Sequence, residues 1–79
     1  MGAVAYGRKV DEEADAVRYL FGLEPEVWDG ELRIPLEDVD GWSVVGRDDR
    51  PSAARYVVGT AYRLRRRTGE WPDRVVFQS

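Results

Sequence analysis

Apolar and polar positions alternate with a helical period most clearly from Pro51 to Arg67. At about 100° per residue, Ala53, Ala54, Val57, Val58, Ala61, Tyr62 and Leu64 fall on one side. Arg55, Gly59, Arg63, Arg66 and Arg67 fall on the other, while Arg65 lies inside the apolar stripe and has to snorkel past its edge. Pro51 suits the first helical position, Asp49 can neutralise the positive N-terminal end, and Gly69 is placed to take the left-handed turn that stops the helix. A second helical pattern runs from Val10, with Val10, Ala14, Val17, Leu20 and Phe21 sharing a face. Asp11 is its N-cap, Glu12 and Glu13 fill its first turn, and Gly22 is its stop.

Period-two patterning occupies the remainder. In Glu26–Arg33 the pair Asp29-Gly30 reads as a two-residue type I′ turn, which places Val27 and Leu32 on the core face and Glu26 opposite Arg33 in solvent. Residues 36–40 form a connection of about one helical turn. Residues 42–46 read as a third strand, with Trp42 and Val44 on one face and Ser43 and Val45 on the other. Residues 74–78 read as the last, with Val75 and Phe77 turned one way and Val76 the other. The segment before Val10 is either a short edge strand or a lead-in. The expected fold is a single α+β domain, 1–79. It is a two-layer sandwich in the order α-β-β-β-α-β, mostly antiparallel, with two helices on one face and a last strand able to lie parallel to an earlier one.

Composition narrows the chemistry. The chain has no cysteine and no histidine, so disulfides, thiolate or imidazole metal ligands and the usual general base near neutral pH are excluded. Asp48 and Asp49 are better explained as helix caps and ion-pair partners of Arg47 and Arg50 than as a catalytic pair. The acids at 11–15 spread around their helix instead of converging on a cation. The expectation is a non-enzyme without metal or cofactor. No apolar run is long enough for a bilayer span and the N-terminus has no signal-peptide pattern, so a cytoplasmic location is expected.

Charge is unevenly spread. Residues 1–46 hold eleven acids and four bases, a net −7, and residues 47–79 hold four acids and eight bases, a net +4. The basic patch Arg55, Arg63, Arg66 and Arg67 is suited to phosphates or to an acidic protein surface. Two helices cover only one face of a four-stranded sheet, which leaves Val45 and Val76 on the open face. Trp28, Trp42 and Trp71 are candidate anchors for another protein or a second copy of this chain. The function read from these features is a non-catalytic protein-interaction or regulatory module. Nucleic-acid binding through the arginine-rich helix end is the alternative.

Two resemblances bear on that choice. The order helix, three strands, helix resembles the topology of the double-stranded-RNA-binding domain. Residues 31–72 resemble the core of HicB-type antitoxins through Ile34-Pro35, Gly41-Trp42, Gly46-x-Asp48, Ala53-Ala54 and Trp71-Pro72. Asp49 and Pro51-Ser52 stand where that family has a threonine and paired glutamates, and a helix is expected where it begins with a strand. The second resemblance implies a non-enzymatic binder that neutralises an RNA-cleaving toxin.

Overall fold

The computed structural model describes residues 2–79. Five strands form one antiparallel sheet: β1 (Val4–Glu12), β2 (Ala16–Gly22), β3 (Gly30–Pro35), β4 (Ser43–Val44) and β5 (Arg74–Gln78). Their spatial order is β4-β3-β2-β1-β5, and one helix, α1 (Ser52–Thr68), joins β4 to β5 across the sheet. The expected pair of helices in the order α-β-β-β-α-β is therefore overturned, and with it the double-stranded-RNA-binding topology. The last strand runs antiparallel to β1 and not parallel to any neighbour.

The segment read as the first helix is the β1–β2 hairpin. Its acids mark a chain reversal: Glu13 N–H donates to Ala16 C=O across Ala14-Asp15. Val17, Tyr19 and Phe21 alternate onto one buried face, a strand period that β-branched and aromatic residues fill well. The type I′ turn at Asp29-Gly30 is also overturned. Gly30 has no positive φ and instead opens β3, which pairs with β2 from Phe21↔Gly30 to Ala16↔Pro35. The nearby turn loses because β2 offers β3 a longer ladder with three core side chains. Leu32 is buried as expected, whereas Val27 is exposed.

The buried sheet face carries Ala5 and Gly7 of β1, the three alternating residues of β2, Leu32 and Ile34 of β3, Val44 of β4 and Val75 of β5. Over it, α1 lays Ala53, Ala54, Val57, Val58 and Ala61, and Trp42 and Trp71 join the same core. The helix starts at Ser52, one residue later than expected. Its C-cap is Gly69 in the left-handed conformation, whose N–H donates to Arg65 C=O. The third strand is shorter than expected, because Trp42 caps a 3-10 turn at Val39–Gly41 and the chain turns at Val45-Gly46, where Arg47 N–H donates to Val44 C=O. Trp42 and Val44 are nevertheless both buried while Val45 is exposed. Among the described residues no helix is long and apolar enough to cross a membrane.

Candidate functional site

The twelve basic residues divide into two sets. Six lie outside α1 and its flanks, and each has a carboxylate partner. Arg8 and Arg74 share Glu26, Lys9 meets Glu12 and Asp73, Arg18 meets Asp11, Glu13 and Glu31, Arg33 meets Asp15, and Arg47 meets Asp49. Several of these pairs hold their groups charged. Hydrogen bonding to Arg18 lowers the Asp11 pKa, Arg74 does the same for Glu26, and Arg47 for Asp49, while the bond to Glu12 raises that of Lys9.

The other six are Arg50, Arg55, Arg63, Arg65, Arg66 and Arg67, and residues 50–69 contain no acid. Arg50 serves the fold: it lies 4.6 Å over the Trp42 ring and donates to the carbonyls of Asp40 and Trp42 at 2.8 and 2.7 Å. The remaining five are exposed and, among the described residues, none has a carboxylate within salt-bridge range. Arg63 stands three residues from Arg66 and four from Arg67, so like charges sit side by side on the helix. Each such pair costs about 0.2–0.5 kcal/mol. The helix dipole rewards the arginines of the last turn but not Arg55 or Arg63.

Around these cations the surface is aromatic and shallowly concave. Gly59 lacks a side chain, which opens a depression lined by Tyr62, Arg63, Arg66 and Arg67. A neighbouring depression lies among Leu36, Val39, Tyr62, Arg65, Arg66 and Trp71. Tyr62 is 38% exposed, Arg66 lies 5.9 Å from its ring centre and the Trp71 ring 6.4 Å away. Tyr62, expected within the apolar stripe, is instead the centre of this surface, and Leu36 at its margin was not singled out from the sequence. Arg65 reaches solvent, as its position beside the core edge required.

The expected partner patch on the open sheet face is not assembled as one surface. Trp42 and Trp71 are buried, at 6% and 7% exposure, on the helix side of the sheet. Val45 and Val76 are both exposed but stand at opposite edges, beyond β4 and on β5. Only Trp28 keeps company with Val76, in a small depression with Tyr6 and Pro25. Much of the open face is instead an ion-pair lattice centred on Arg18. Among the described residues no group of three or more acidic side chains could hold a metal ion. No family model matches the chain, and neither a curated protein nor a solved structure matches it.

Proposed function

We propose that the protein is a non-catalytic interaction module that docks an acidic surface of another protein onto the outer face of α1. The observation that carries this is the split in pairing. With fifteen acids available, the six cations away from α1 each have a carboxylate and Arg50 is held by two carbonyls and the Trp42 ring, so that among the described residues Arg55, Arg63, Arg65, Arg66 and Arg67 are left bare at a cost in repulsion. Exposed Tyr62 and Leu36 beside them supply the apolar contact that, with arginine, typifies protein interfaces. The antitoxin-like form of this reading rests on the HicB resemblance. The absent threonine and paired glutamates at Asp49 and Pro51-Ser52 remain departures from that family, while β1 stands where a helix was expected as a further one.

Phosphate binding is the second reading, favoured by the Tyr62 ring beside Arg66, a platform on which a base could stack. Against it, the chain outside residues 50–69 carries fifteen acids and six bases, a net −9 that repels a long polyanion.

Fluorescence anisotropy with a labelled glutamate-rich peptide containing leucine, and with a single-stranded oligonucleotide, tests both. The peptide is expected to bind and the oligonucleotide not. The Arg63→Gln, Arg66→Gln, Arg67→Gln variant should keep its stability within about 0.5 kcal/mol, because the residues are exposed and unpaired. At about 1 kcal/mol per lost contact it should bind the peptide about 100-fold more weakly. Equal binding by the variant defeats the proposal, and preferential oligonucleotide binding selects the second reading.

A further inference from the structure

The two sheet edges are unlike. At one, β4 has only two residues, after which Val45 N–H donates to Glu31 C=O and the chain turns away at Gly46. At the other, β5 presents a full five-residue strand. It has no proline and no bulge, and the guanidinium of Arg74 is turned aside to Glu26 at 2.8 Å. The devices that usually blunt an edge are missing there.

Backbone polarity fixes what that edge offers. Lys9 N–H donates to Asp73 C=O, and Ser79 N–H donates to Ala3 C=O. By the alternation of an antiparallel ladder, the main-chain groups of Val75 and Phe77 also point to β1. Those of Arg74, Val76 and Gln78 therefore point outward, three donors and three acceptors without a strand to receive them.

We propose that β5 pairs antiparallel with β5 of a second copy, about a two-fold axis at Val76. Only a centre on an outward-pointing residue permits a self-paired hydrogen-bonded rung, and Val76 is the middle one of three. Val76 then exchanges both bonds with its counterpart, and Arg74 exchanges both with Gln78 on each side, which satisfies all six groups of each edge. Side chains agree with the same register. On the open face Val76, 55% exposed, meets Val76, and Arg74 meets the neutral Gln78. On the helix face Val75 meets Phe77, which already stacks on Tyr56 at 4.3 Å. No like charges oppose one another, and the interface is isologous, so it closes at two copies. The product is a continuous ten-stranded sheet.

The inference rests on the β5 edge and not on the arginine face, so the two can fail separately. Sedimentation equilibrium across a dilution series is expected to show the mass of two chains at high concentration and of one on dilution. Val76→Lys sets two cations opposite each other without touching the buried core, and should give one chain throughout with unchanged circular dichroism and unchanged peptide binding. Should that variant misfold, hydrogen exchange on the unaltered protein still decides: the amides of Arg74, Val76 and Gln78 should exchange about tenfold or more slowly in the concentrated sample. A one-chain mass at the highest concentration, or a two-chain mass without protection of those amides, overturns the proposal. The arginine-to-glutamine variant should pair as before.

Discussion

Changing Gly7 to alanine is expected to cost about 1–3 kcal/mol of stability, through overpacking beneath the helix. Gly7 lies on β1 between Phe21 of β2 and Val75 of β5, directly under α1. A Cβ built there would stand 2.6 Å from Cγ1 of Val57, and 3.3 Å from both Val57 Cγ2 and Val75 Cβ. Val57 is fully buried, and a β-branched side chain in a helix has one strongly preferred rotamer, so it cannot turn aside. Either α1 lifts or β1 bows. At roughly 0.05–0.15 kcal/mol per residue a domain of this length holds only about 4–12 kcal/mol. The loss should therefore lower the midpoint of thermal unfolding by roughly 5–20 °C. Gly59 supplies the control, because its added Cβ meets nothing within 4 Å on the exposed side of α1. Gly59→Ala is expected to raise stability by about 0.5–1 kcal/mol. If the two alanines behaved alike in thermal melts, the close approach of helix and sheet at Gly7 would be wrong.

Gly7 also shows why half of this fold was hard to read from the sequence. A buried strand normally announces itself by alternating apolar residues, but the helix-facing positions of β1 run Ala5, Gly7 and Lys9. A glycine is needed where Val57 descends, and Lys9 sits at the periphery, reaching the carbonyl of Trp71 at 3.2 Å. The bulge at Val10 then breaks the alternation, since Lys9 pairs with Tyr19 but Asp11 with Arg18. With the period interrupted, Val10, Ala14, Val17, Leu20 and Phe21 fitted a helix equally well. By contrast α1 was plain, because its long apolar stripe depends on local spacing alone, and β5 and the Trp42–Val44 face were plain for the same reason. The candidate site was half legible. Its arginines stand together in the sequence, but that they alone lack partners depends on a sheet register that brings Glu26 to Arg74 across 48 positions. Nor could spacing tell a tryptophan that anchors a partner from one that fills the core, which is the fate of Trp42 and Trp71.

Tyr19 is among the largest fully buried side chains, and emptying its place by Tyr19→Ala should cost about 3–5 kcal/mol, a large share of what holds the domain together. The milder Tyr19→Phe isolates the hydroxyl, which donates to the carbonyl of Pro72 at 2.6 Å and so ties β2 to the turn that leads into β5. Its removal leaves that carbonyl without its donor, at about 1–2 kcal/mol. The hydroxyl also gives the two proteins different behaviour in alkali. Burial pushes its pKa upward from the ordinary 10.0, and the nearby negative charges of Glu12 and Asp73 push the same way. A raised pKa means that the folded chain keeps the proton while the unfolded chain releases it. The contribution is therefore complete below pH 10 and shrinks as pH rises further, by at most about 1.4 kcal/mol per pH unit for one proton. Lys9, whose pKa is raised chiefly by its bond to Glu12, loses its contribution in the same range, but it does so in both proteins and cancels in the comparison. Denaturant unfolding at pH 8 and pH 11 should therefore show the advantage of tyrosine over phenylalanine narrowing at the higher value. An advantage that stays constant across that interval would mean the Tyr19 hydroxyl is open to solvent and not held against Pro72.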